Sequence, residues 1–251
     1  MHILQIFMVS LTVGIAGVSS FPGPLRLAST FSRISNELDN ISLGRCSISN
    51  AILPINDTTT KLPRPSSGMN LKYIALGRGT QNYTCENSTS SAIPVAVGAA
   101  ATLFDASCIA SQSLTLLHEM PAIIGEAPIG SLAFLAELLS HTTNSSQLIL
   151  GEHYFNAAEY PIFDLRLSGA QDWVVATKNA SVDAPQTSKL TKQNVAWLEL
   201  DRKSGNKECS GKGIQKVYRV KTYQGSAPST CAGLNETIEV QYAAEYWFYG
   251  R

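Results

Sequence analysis

A mainly β fold is expected for this 251-residue chain: an antiparallel β-sandwich or barrel-like domain with one or two short helices and disulfide staples. Three features predict it. Short β-prone runs recur with turn-forming residues between them, only one segment has helical periodicity, and five cysteines are scattered through the chain.

LKYIALG (71–77) is the first strand, stopped by glycines, and GRGTQN after it continues as strand. There Gln81 and Tyr83 share one face while Asn82 and Thr84 take the other. IPVAVGAAATLFDAS is the second candidate, its alanines marking a crowded sheet face. PIGSLAFLAELLSHT then has Ile129, Leu132, Leu135, Ala136 and Leu139 on one side at helical spacing, with Ser131 as N-cap. QLILGEHYFN, YPIFDLRL and DWVVATKN are further strands, and VAWLELD and KVYRVKTY form a hairpin around a Gly/Lys-rich loop. The last strand, TIEVQYAAEYWFYG, alternates strictly. Ile238, Val240, Tyr242, Ala244, Tyr246 and Phe248 form a core face, and Glu239, Gln241, Ala243, Glu245, Trp247 and Tyr249 a wetter one.

Residues 1–20 have the apolar run and small-residue end of a secretory signal, 21–62 form a Ser/Asn/Pro-rich extension, and 63–251 make a single β-rich domain. INDTTTKLPRPSSG is an exposed connector on this reading. No later run is long enough for a transmembrane segment, and the C-terminus lacks the apolar tail of a lipid-anchored precursor. Asn40, Asn56, Asn82, Asn87, Asn144, Asn179 and Asn235 all stand in N-x-S/T, which points to N-glycosylation and a eukaryotic secretory route. Lys plus Arg balance Asp plus Glu at 19 each, so no charge footprint for nucleic acid exists.

In an oxidising compartment most cysteines pair. Cys85–Cys108 is favoured because the segment between can run out and back, and Cys46–Cys231 would tie the extension to the last hairpin. Cys209–Cys231 is a rival, and Cys209 in a polar loop is the candidate free thiol. No C-x-x-C and no histidine pair at ligand spacing is present, so neither metal nor cofactor is expected. If Asn82 and Asn87 both carry glycans, GTQNYTCENST is a sheet-edge segment, sugar-coated outside and stapled inside by Cys85.

LKYIALGRGTQNYTC (71–85), GEHYF (151–155), VAWLEL (195–200), VYRVKTYQGSAPSTC (217–231) and VQYAAEYWFYG (240–250) together resemble the domain-of-unknown-function 3455 family of secreted fungal and bacterial proteins. The resemblance implies a compact extracellular β domain and no established reaction. Some fungal members carry a malate dehydrogenase label. Here GRGTQN lacks the third glycine of a dinucleotide loop and leads into strand, so that activity is disfavoured.

No nucleophile elbow or H-E-x-x-H is present; HEMPA (118–122) stops after the glutamate, where its proline breaks the helix. The leading expectation is a secreted structural or ligand-binding glycoprotein of the fungal surface, its partner a polysaccharide or other cell-wall component, with Gln81, Tyr83, His153, Tyr154 and Trp247 as candidate contacts. The alternative is a carbohydrate hydrolase using His153 or a carboxylate among Glu152, Glu159, Asp164, Glu239 and Glu245.

Overall fold

The computed structural model describes residues 46–143, 148–185, 193–205 and 213–251, with Arg33, Asn36, Glu37 and Ile41 before them. The expected signal, Cys209, Asn40 and Asn144 lie outside the described residues. Contacts divide the chain after Asn40. In the first unit Arg33 donates to Glu37 at 2.7 Å. The second unit, Ile41–Arg251, contains the β fold.

Eight antiparallel strands follow one another around a closed barrel. They are β1 (Asn70–Thr84), β2 (Val95–Asp105), β3 (Ile149–Phe155), β4 (Pro161–Asp164), β5 (Trp173–Val182), β6 (Trp197–Arg202), β7 (Ile214–Gln224) and β8 (Thr237–Gly250). Closure comes from the two longest strands, which pair from Asn70↔Gly250 to Thr84↔Thr237. Of the two architectures the sequence allows, closure selects the barrel and removes the sheet edges. β1 is therefore flanked on both sides, by β2 and β8, and is not an edge.

β1 also runs through its glycines instead of stopping at them. A Cβ on Gly77 would sit 2.5 Å from the Tyr246 ring, and one on Gly79 would sit 1.8 Å from the Ala100 carbonyl oxygen. Glycine lets the strand coil tightly against β2 and leaves room for a tyrosine inside. Alanines do the same elsewhere: Ala75, Ala99, Ala101, Ala176 and Ala244 share the interior with Phe163, Tyr242, Tyr246 and Phe248.

A second core lies outside the wall. Among the described residues three helices occur between β2 and β3, one more than the highest expectation: α1 (Ser107–Gln112), α2 (Leu114–Gly125) and α3 (Ile129–Thr143). Leu117 and Ile124 of α2 pack with Ile74 and Leu76 of β1 and Ala243, Trp247 and Tyr249 of β8. The supposed wetter face of β8 is thus exposed at Glu239 and Gln241 but buried from Ala243 onward, with Trp247 and Glu245 both at 0% exposure. Leu53, Ile55 and Leu62 join this core, so the connector reading fails for residues that supply apolar packing to the barrel wall.

The Ser113 hydroxyl accepts from Leu116 N–H at 3.1 Å to cap α2, and Arg78 Nε donates to the Ile124 carbonyl at 3.0 Å near its other end. Pro121 does not break this helix but lies within it, buried. Burial against the barrel outweighs a lost backbone bond. In α3, Ser131 N–H bonds the Pro128 carbonyl, which places Ser131 inside the first turn and not at the cap. Ala136 is buried and Leu132 half-buried, but Ile129, Phe134, Leu135 and Leu138 are exposed.

The four candidate cysteines are all bridged, with different partners. Cys46 joins Cys108 with Cα atoms 4.9 Å apart, and Cys85 joins Cys231 at 5.8 Å. Cys85–Cys108 fails because only one strand, β2, lies between them. One strand carries the chain to the opposite end, where Asp105 pairs Ala75, on the order of 30 Å from Cys85 at about 3.4 Å per residue. Cys85 follows β1, and Cys231 lies in the loop leading into β8, its partner at that end.

Candidate functional site

The end of the barrel at Thr84 and Val95 opens into a cavity of about 420 Å³ lined by residues from β1 to β7. Its walls are apolar: Val97 from β2, Phe155 from β3, Pro161 from β4, and Leu198 and Leu200 from β6. Gln81 of β1 and Arg219 of β7 bring polar groups to it, with Glu159, Tyr160, Thr177 and Lys178 also lining it. Volume and lining resemble those of small-molecule sites, mostly apolar with a few placed polar atoms.

Arg219 is 8% exposed. One terminal nitrogen donates to the Ala196 carbonyl at 3.0 Å, the other to Gln81 Oε1 at 3.3 Å. Both acceptors are neutral. Arg219 Nε and Gln81 Nε2 are buried without a partner at close hydrogen-bond distance, and the nearest groups to take their protons are the inward hydroxyls of Tyr246 and Tyr242. Withdrawing an ion from water costs several kcal/mol, and each unmatched buried donor about 1–3 kcal/mol. Such a group marks a place where the fold tolerates strain that a ligand can relieve.

An aromatic cluster lies next to Arg219. Tyr242 and Tyr246 hydroxyls are 2.8 Å apart, and burial raises both phenols while the Arg219 charge opposes the rise. His153 is 4% exposed and stacked on Phe163 at 4.3 Å between ring centres. Burial brings its pKa down to about 4; the Ile162 carbonyl opposes that shift and the Arg219 charge adds to it. The imidazole is neutral at neutral pH, and because a carbonyl can only accept, Nδ1 carries the proton donated to Ile162 O at 2.9 Å.

Of the expected contacts, only Gln81 lines the mouth. Tyr83 faces the same way but is buried, its hydroxyl donating to the Gly225 carbonyl at 2.6 Å. Tyr154 packs outside with Ile162 and Val175. Trp247 lies beneath α2, its indole donating to Glu245 at 2.9 Å. The wet surface that motivates Trp247 as a contact does not exist, because a helix covers it.

Of the expected carboxylates, Glu152 and Glu239 share one hollow and the other three lie elsewhere. Glu245 is bonded to His118 Nδ1 at 2.8 Å as well as to Trp247. Asp164 is clamped by Arg166 at 2.5 and 2.8 Å, which lowers its pKa. His153, Tyr154, Glu152 and Glu239 all border an outer hollow of about 530 Å³, but the imidazole is turned away from it. The His153 ring stacks on the inward Phe163, and Glu152, one residue earlier, lies on the other side of β3. Glu159 lines the mouth and is exposed.

Arg219 is the site residue that the motifs miss. Its signal is present in VYRVKTY, where a charge takes the same face as Val217 inside a β-prone run. Of the sequon asparagines, Asn56, Asn87, Asn179 and Asn235 are exposed. Asn82, expected to point to solvent, is half-buried with an unpartnered Oδ1, since β1 has neighbours on both sides.

Among the described residues no group of three or more His, Cys, Asp or Glu could hold a metal, and no helix is long and apolar enough to cross a membrane. One family model, described as a protein of unknown function (DUF3455), matches residues 65–250, well over half of the chain. No curated protein and no solved structure matches.

Proposed function

The chain belongs to the DUF3455 family, and we propose that it is a secreted, disulfide-stapled glycoprotein that binds a small extracellular or cell-wall ligand in the mouth of its barrel. One observation carries this reading: the cavity of about 420 Å³ is lined by apolar residues and by Arg219, a buried cation whose hydrogen bonds reach only neutral oxygens. The extracellular part rests on the leader-like first twenty residues, the two disulfides and the exposed sequon asparagines. Binding without turnover is favoured over hydrolysis, because the mouth joins an apolar wall to a cation and has no pair of facing acids.

Native mass spectrometry of protein recovered from culture medium, joined to thermal-shift screening of small molecules, tests the reading. Saturable binding that disappears in Leu198→Trp, where an indole fills the cavity, is the expected result. Binding unaffected by that substitution removes the mouth as the seat. Recovery of the protein only from cytosol, with unmodified asparagines, removes secretion.

A further inference from the structure

Resting on the mouth as a ligand seat, we infer that its ligand is an organic carboxylate: one anionic head held by Arg219 and Gln81, on a short apolar body. The polarity of the lining nitrogens supports the head. Every nitrogen of the Arg219 guanidinium, like the Gln81 amide nitrogen, can only donate, so a ligand group that meets these lining residues must accept. The remaining partners of Arg219 are neutral oxygens, so its charge also lacks an opposite. A hydroxyl or carbonyl would meet the hydrogen-bond demand alone, whereas a carboxylate meets both and presents two oxygens to two donors.

The body follows from the walls. Val97, Phe155, Pro161, Leu198 and Leu200 give the body an apolar wall, while Glu159 and Lys178, which also line the cavity, are exposed to water. Outward from the cavity the apolar lining continues to exposed residues, with Val97 at 39% and Val95 at 63%. A cavity of about 420 Å³ accommodates on the order of ten non-hydrogen atoms, at about 30 Å³ for a water-sized unit with space for imperfect packing. Medium-chain fatty acids and small arylalkanoic acids have this size and polarity.

The test is isothermal titration calorimetry on the secreted, disulfide-intact protein with octanoate, octanol, phenylacetate, 2-phenylethanol and inorganic phosphate. Each acid should bind at least tenfold more tightly than its alcohol, and phosphate should bind more weakly than either acid. Arg219→Met should erase the advantage of each acid over its alcohol, and a urea unfolding transition like that of the wild type shows that the variant is folded. Arg219→Lys, which keeps the charge and loses the planar fork, should retain part of the preference.

Alcohols that match their acids in the wild type overturn the carboxylate head but leave the seat intact. Phosphate binding as tightly as octanoate overturns the apolar body. If acids and alcohols alike fail to bind, or bind unchanged in Leu198→Trp, the seat itself is wrong and the inference falls with it.

Discussion

Lys216 and Arg219 are buried cations on one strand, and they differ in almost everything else. An odd spacing along β7 sends them to opposite faces. Lys216 points outside the barrel, where its ammonium meets the carboxylates of Glu199 and Asp201. Glu199, at 0% exposure, also accepts from Asn179 Nδ2 at 2.9 Å and the Tyr218 hydroxyl at 3.3 Å. Burial alone would lower the lysine pKa, yet hydrogen bonds and charge from the two acids raise it above the ordinary value. Arg219 points into the barrel and meets only neutral oxygens. The first cation is matched to the wall it stands in; the second is left in demand. That difference separates a charge the fold compensates from one it does not more clearly than residue type does.

The largest break in this comparison comes from Lys216→Met. It leaves Glu199 charged and buried without a cation, and a loss of about 3–5 kcal/mol is expected in urea unfolding. The double variant Lys216→Met/Glu199→Gln should recover most of that loss, because the orphaned charge goes too.

Opening the staple at the mouth comes next. Replacing both Cys85 and Cys231 by serine releases a bridge across 146 residues and should cost about 2–5 kcal/mol in the same measurement. Ligand affinity should fall as well, since the bridge fastens the β1 end of the rim; unchanged affinity would mean that pairing of β1 with β8 shapes the mouth alone.

Acid titration probes the groups next to Arg219. His153 has a pKa near 6.5 when unfolded and about 4 when folded, so its contribution is fully present above pH 6.5. As pH falls the unfolded chain takes up the proton first, and about 3 kcal/mol is lost by pH 4. His153→Phe should flatten that acid limb; a limb of unchanged depth would assign the acid sensitivity elsewhere.

The smallest effect on stability is expected for Arg219→Met, within about 1 kcal/mol of wild type, because the lost hydrogen bonds are offset by relief of an unpaired buried charge. A loss as large as that of Lys216→Met would make Arg219 structural after all.

All eight strands are legible from local pattern, since alternation in segments such as TIEVQYAAEYWFYG records two unlike faces directly. The helix over α3 is legible for the same reason, at its own period. The α1–α2 pair is harder to read because Pro121 argues locally against helix, and only contact with Trp247 and Ile74 outweighs it. Gln81 is found because its strand and face can be read. Its partner Arg219 is missed because they lie 138 residues apart and nothing local joins them.

The sequence by itself determined how many strands form and which residues alternate along each, because both depend on side-chain period and residue type. Only the tertiary structure decided that the sheet closes, that Cys85 meets Cys231, that a helix covers Trp247, and that Arg219 stands uncompensated in the mouth. Closure and the Cys85–Cys231 bridge follow from pairing β1 with β8, the other two from further contacts between distant segments, and long-range contacts leave no periodic trace in the chain.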